Sequence, residues 1–233
     1  MRKVKVGASL DCADYGNLQS EVEKLERGGA ELLHCDVMDG HFVPNFAIGT
    51  RLIRTLRDKS RLVFDIHLAV DEPEHHIERF LEAGGDIITV HAEACHRLHQ
   101  IVRHIRERSG KACVAYAPST PVNGIEYILP EIDMVLLMTV DPGFPGQRFV
   151  PGVVRKVEQV RRMIEQEGLD IDIEVDGGVN KETIPLLYRA GANVFVAGTS
   201  SVFNGLEDTE TGMRRFRAFC ESLEKPHEEP QGL

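Results

Sequence analysis

The sequence predicts an α/β fold closed into a single (β/α)8 barrel, and three observations lead there. Short aliphatic runs recur eight times along the chain, and amphipathic stretches with helical spacing stand between most of them. One local pattern also returns at Glu26 to Glu31, Leu81 to Asp86 and Tyr188 to Asn193: a helix end closed by glycine, then an aliphatic run. Strands separated by helices pair in parallel through right-handed crossovers, and eight such units in 233 residues suit a closed barrel. A doubly wound open sheet is the alternative. It usually has fewer strands for this length, and no G-x-G-x-x-G follows the first strand here.

In chain order, the aliphatic runs place strands at Val4 to Ser9, Glu31 to Val37, Leu62 to Leu68 and Asp86 to His91. The remaining four fall at Ala112 to Ala117, Met134 to Thr139, Ile171 to Asp176 and Asn193 to Gly198. Amphipathic spacing places helices at Asn17 to Arg27, Arg51 to Asp58, Pro73 to Ala83, His96 to Glu107, Val153 to Glu167 and Glu182 to Arg189. Gly124 to Leu129 reads as a weaker helix. After Asn204 the alternation stops, and Glu207 to Glu224 reads as a final helix with Met213, Phe216, Phe219, Cys220 and Leu223 on one face. Residues 1–224 are therefore expected to form one barrel domain, with 225–233 a polar, flexible tail.

Composition narrows the function. Lys plus Arg number 27 against 37 Asp plus Glu, a net charge of −10, with no basic stripe, which argues against nucleic acid. No run of about 18 apolar residues suggests a membrane span, and no apolar stretch near Met1 has signal-peptide length, so a cytoplasmic protein is expected. Five scattered cysteines, odd in number and without CxxC, indicate neither a disulfide framework nor a zinc knuckle. They read as buried small apolar residues.

Ionisable residues at the far ends of barrel strands need an explanation, because a barrel interior is normally filled by branched apolar side chains. His34 and Asp36 lie two apart on the second strand and so share a face; Asp65 and His67 repeat the spacing on the third; Asp176 ends the seventh. His34, Asp36, His67 and Asp176 are thus candidate ligands of one divalent cation of zinc, iron, cobalt or manganese type, and ligand chemistry alone does not choose among these. Burying that many charges without an ion would be costly. Asp65 and Glu174 are candidates for orienting the imidazoles or pairing with basic residues. Cys35, between two of the ligands, points to the opposite face. His75, His76, His96, His99 and His104 lie among Glu and Arg on or near helices and read as solvated surface. Tyr15 and Phe46 read as packing residues near the rim.

Three glycine-rich loops form a second constellation: Asp141 to Gln147 after strand six, Asp176 to Asn180 after strand seven and Ala197 to Ser201 after strand eight. Backbone amides in such turns approach phosphate closely, and barrels often hold phosphate after strands seven and eight.

From Val6 to about Asn204 the sequence resembles the ribulose-phosphate 3-epimerase family. The matching segments are Ala8-Ser9-Leu10, His34 to Asn45, Asp65 to Leu68, Met138 to Phe144, Glu174 to Gly178 and Val196 to Thr199. The resemblance implies a TIM barrel of the ribulose-phosphate binding type that inverts C3 of a ketose phosphate, most simply D-ribulose 5-phosphate to D-xylulose 5-phosphate. It implies Asp36 and Asp176 as the two acid/base groups, both also metal ligands. Ser9, His67, Met38 and Met138 are implied to contact substrate. So are Gly143, Phe144, Pro145 and Gly146, with Gly146, Gly177, Gly178, Gly198 and Thr199 at the phosphate. A homo-oligomer is also expected.

The chain departs from the family pattern at Asp11, Ala69, Ala117 and Pro145. Two losses of bulk and an added carboxylate suggest an altered pocket that tolerates a ketose phosphate other than ribulose 5-phosphate; Asp141 to Phe149 and Gly198 to Ser200 also resemble the related allulose-6-phosphate 3-epimerases, which implies D-allulose 6-phosphate as the alternative. A lyase on the same barrel and a noncatalytic sugar-phosphate sensor are the competing functions. The absence of Lys from the strand-end acids speaks against the first, and the intact set of His and Asp against the second.

Overall fold

A computed structural model describes residues 3–224; the expected tail at 225–233 lies outside the described residues. Eight parallel strands close on themselves: β1 Lys5–Ser9, β2 Leu32–Met38, β3 Val63–Ala69, β4 Ile87–His91, β5 Lys111–Tyr116, β6 Met134–Met138, β7 Asp172–Asp176 and β8 Val194–Ala197. Each strand pairs with its neighbours in sequence, and β8 returns to β1. The helices are α1 Leu18–Gly28, α2 Thr50–Arg57, α3 Ile77–Glu82, α4 Leu98–Glu107, α5 Val153–Gln166, α6 Ile184–Ala190 and α7 Thr209–Ser222. The expected (β/α)8 TIM barrel is the observed fold.

Two helical expectations need correction. Gly124 to Leu129 forms no α-helix: Ile125–Tyr127 and Leu129–Glu131 are two short 3₁₀ turns. Gly124 is left-handed at φ 90°, and Pro130, inside the second turn, has no N–H to extend a helical ladder. Pro73 to Ala83 is likewise divided into a 3₁₀ turn, Pro73–His75, and the shorter α3.

The repeated glycine joint has the predicted geometry, with φ of 91° at Gly29, 108° at Gly84 and 113° at Gly191. The structure adds what the sequence did not indicate: an arginine lies across each joint. A β-carbon on Gly84 would stand 2.4 Å from Arg57 Cγ, one on Gly191 2.5 Å from Arg161 Cγ and one on Gly29 2.8 Å from Arg217 Nη1. Arg161 Nε donates to the Gly191 carbonyl at 2.9 Å and Arg217 Nη1 to that of Gly29 at 2.9 Å. Arg217 belongs to α7, so the last helix is fastened to the end of the first, and Arg27 Nε adds a 2.8 Å contact to Glu210 Oε2.

Alternation along the strands separates two cores. Outward residues such as Leu33, Cys35 and Val37 pack with helix residues including Leu25, Ile53 and Phe216. Cys35 therefore faces away from the interior, as expected. Inside the ring, Leu32, Ile87, Cys113, Met134, Leu136 and Val194 fill part of the barrel. The remainder of the interior is polar and buried: His34, Asp65, His67, Thr89, His91 and Glu174.

Candidate active site

Strand register assembles the site. His34 pairs with Ser9 on one side and Asp65 on the other, Asp36 with His67, Met38 with Ala69 and Met138 with Asp176. Inward alternation then delivers His34, Asp36 and Met38 from β2, Asp65, His67 and Ala69 from β3, and Glu174 and Asp176 from β7.

Three donor atoms meet in a triangle. His67 Nδ1 lies 2.9 Å from Asp36 Oδ1 and 3.2 Å from His34 Nε2, and His34 Nε2 lies 3.5 Å from Asp36 Oδ1. A tetrahedral zinc ion with bonds of ~2.0–2.1 Å holds its donors about 3.3 Å apart, so these edges fit a single divalent cation. Asp176 stands outside this triad but lines the same cleft, from the far side of the barrel from β3.

Buried polar neighbours hold the triad. The far nitrogen of His34, Nδ1, is 2.8 Å from Asp65 Oδ2, and Asp65 Oδ1 accepts from Thr89 Oγ1 at 2.6 Å. The Ser9 hydroxyl donates to Asp36 Oδ2 at 3.0 Å. Glu174 differs: fully buried, it has His34 Nδ1 3.7 Å from Oε1, yet neither of its oxygens makes a hydrogen bond among the described residues.

Electrostatics divide the acids. Burial opposes ionisation of Asp36, but His34 and His67 beside it outweigh that and hold its pKa well below the usual carboxylate range. Burial likewise opposes charging of His34, and Asp36 and Asp65 reverse it, raising the imidazole well above its ordinary value. Asp176 moves the other way, raised by burial, with the Asp36 charge adding to the effect. Burial, then the Asp65 charge, pushes Glu174 up to about 8.

The cleft above these residues opens to solvent. Every residue expected to contact substrate lines it: Ser9, His67, Met38, Met138, Gly143, Phe144, Pro145, Gly146, Gly177, Gly178, Gly198 and Thr199. The lining contains no Lys or Arg among the described residues, so a phosphate there would meet amides rather than cationic side chains. Gly177 shows why its loop requires glycine: its φ is 100°, and a β-carbon would stand 2.3 Å from Val140 Cγ2. Of the departures, Asp11, Ala69 and Pro145 line the cleft; Ala117 does not.

Comparison with known proteins agrees with this geometry. The family model described as the ribulose-phosphate 3 epimerase family matches residues 5–203. The chain belongs to the ribulose-phosphate 3-epimerase family. It is 48% identical over 198 residues to the ribulose-phosphate 3-epimerase of Bacillus subtilis, covering 84% of this chain and 91% of that protein. With the ribulose-phosphate 3-epimerase of Methanocaldococcus jannaschii it shares 41% over 223 residues, 95% of this chain and 94% of the relative. Among solved structures, 3-keto-L-gulonate-6-phosphate decarboxylase from Vibrio cholerae superposes with a TM-score of 0.71 at 14% identity, over 96% of this chain and 99% of that one. That likeness concerns the fold alone.

Within this family member, sequence reading missed several site residues. His91 and Thr89 extend the buried polar interior onto β4, and the pattern Thr89-Val90-His91 repeats the two-residue spacing already noticed on β2 and β3. Thr139 Oγ1 donates to the carbonyl of Asp176 at 2.9 Å and to that of Gly177. Cys12 lines the cleft and, like Cys95, is only partly buried, which corrects the reading of all five cysteines as buried. Tyr15 and Phe46 are 51% and 77% exposed rather than packed, although Tyr15 Oη donates to Asp11 Oδ1 at 2.6 Å. No described helix is long and apolar enough to cross a membrane.

Proposed function

We propose that this family member is an isomerase that interconverts D-ribulose 5-phosphate and D-xylulose 5-phosphate by inverting C3. One observation supports it above the others: Asp36 and Asp176, on β2 and β7, line one cleft with proton affinities pushed apart. Inversion needs a base on one face of the carbon and an acid on the other, since a single carboxylate returns the proton to the face it left. In this reading Asp36, held ionised, takes the proton from C3, and Asp176 delivers one to the opposite face; the reverse reaction exchanges the roles. Ser9 touches both Asp36 and the sugar. The amides at Gly146, Gly177, Gly178, Gly198 and Thr199 hold the phosphate, with Gly143, Phe144 and Pro145 covering it and Met38 and Met138 excluding water from the reacting carbon.

His34, Asp36, His67 and Asp176 hold one divalent cation in the same proposal, zinc ahead of iron, manganese or cobalt. When bound, the cation supplies charge stabilisation for the enediolate left by loss of the C3 proton. A homo-oligomer, implied by the family resemblance, and a cytoplasmic location, expected from the absence of a signal-length apolar stretch near Met1, also belong to this proposal. A second reading, a hexulose substrate such as D-allulose 6-phosphate, is favoured by Ala69 and Asp11 in the cleft lining.

Metal-loaded protein incubated with each ketose phosphate in D₂O, with C3 followed by NMR, tests the function. Deuterium entering with inversion supports an epimerase; no exchange with any of them supports a sensor or another reaction. Asp176→Asn is expected to abolish inversion, and inversion at the wild-type rate in that variant removes Asp176 from the mechanism.

A further inference from the structure

The two imidazoles of the donor triad are backed differently, and one backing group has no role in the chemistry above. His34 rests directly on the Asp65 carboxylate. The far nitrogen of His67, Nε2, meets no carboxylate among the described residues; it lies 2.9 Å from Nε2 of His91, a ring with no solvent exposure. Nδ1 of His91 in turn is 3.1 Å from Glu93 Oε2, and Glu93 Oε1 accepts from the Ala117 backbone N–H at 2.7 Å. Lys156 Nζ braces that backbone by donating to the Ala117 and Pro118 carbonyls at 2.7 and 2.8 Å. The His91 ring is also wedged between Phe42 and His67, with centroid separations of 4.8 and 5.0 Å.

Only one arrangement of protons suits a cation in the triad. A ligating nitrogen must be unprotonated, so His67 keeps its proton on Nε2 and donates it to Nε2 of His91. The proton of His91 is then on Nδ1, where Glu93 accepts it. Every donor in the chain faces an acceptor, and the run ends on an anion.

We propose that His91 and Glu93 are positioning residues that act through His67, fixing its ring and its tautomer so that Nδ1 is presented unprotonated to the cation. The inference rests on the reading of His67 as a cation ligand. It gives the two imidazole ligands equivalent support, a carboxylate behind His34 directly and a carboxylate behind His67 through a second imidazole. It also gives the segment at Ala117 a role, since the backbone there, rather than the side chain, holds Glu93 in place.

The test titrates the metal-free protein with Co²⁺, following the visible absorption of the bound ion and confirming the constant by competition with a chelator. His91→Phe, which keeps a ring beside Phe42 but removes the acceptor, is expected to weaken Co²⁺ by about 10- to 100-fold with an unchanged far-UV spectrum. Glu93→Gln should weaken it by less, and His91→Gln, whose amide oxygen accepts the same hydrogen bond, should recover part of the loss. A dissociation constant within twofold of wild type in both His91→Phe and Glu93→Gln overturns the proposal. If wild type itself binds no Co²⁺, the reading of His67 as a ligand fails first. Should His91→Phe not fold, ¹⁵N NMR of the Zn²⁺-loaded wild type decides: protons on Nε2 of His67 and Nδ1 of His91 support the chain, and a proton on Nε2 of His91 refutes it.

Discussion

Nδ1 of His34 and Oδ2 of Asp65 stand 2.8 Å apart across β2 and β3, with neither side chain exposed to solvent. That contact turns the other nitrogen of the ring toward Asp36 and His67, so the orientation of a candidate ligand is set one strand away from the cleft. Asp65→Asn keeps the shape but removes the anion that fixes the tautomer. It is expected to weaken cation binding and to lower kcat/KM by about 10- to 100-fold each. Isothermal titration and steady-state kinetics at saturating metal check the two separately; wild-type values in both would show that the contact does nothing for the site.

Glu174 sets a pH dependence of stability. Its carboxyl is pushed up to about 8 from a usual 4.5 by burial and the neighbouring Asp65 charge. An acid raised in the folded state contributes stability that is complete below pH 4.5, where both states are protonated. That contribution is lost as the pH climbs toward about 8, because the unfolded chain ionises freely while the folded one resists. Glu174→Gln imitates the neutral acid and should gain on wild type progressively as the pH rises from 4.5 to about 8, and no further above that. Urea denaturation across that range measures the difference. Parallel curves for the two proteins would mean that Glu174 ionises in the folded state at no cost.

Ala69 is fully buried against Met38 and Val43 while lining the cleft. Methionine in its place inserts bulk into packed space, so Ala69→Met should cost about 1–3 kcal/mol of stability. If the small residue admits longer sugars, kcat/KM for hexulose phosphates should fall at least tenfold further than that for ribulose 5-phosphate. An equal fall on both substrates would assign the change to packing alone.

The sequence was most legible where period and chemistry coincide. All eight strands lie within one or two residues of their expected spans, because parallel strands buried on both faces stand out as aliphatic runs. His34, Asp36, His67 and Asp176 stood out as polar interruptions of such runs. The connection from β5 to β6 misled, since Gly124 and Pro130 outweigh a weak helical period. His91 escaped notice because its partner, His67, is on a neighbouring strand, and register between strands is not written in either strand alone. The arginines across the glycine joints were hidden for the same reason: in each case the guanidinium comes from another element.

The clasp between α7 and α1 affects how the molecule is made. Arg217 reaches the Gly29 carbonyl from 188 positions away, and the β1 to β8 pairing spans a similar separation. During synthesis, β1 is expected to lack its β8 partner, and so to present an unpaired edge, until the residues that seal the barrel have emerged. The arrival of β8 permits closure, and α7 then fastens to α1. Until then the growing polypeptide is most open to mispairing, and chaperones would be expected to engage it at that stage.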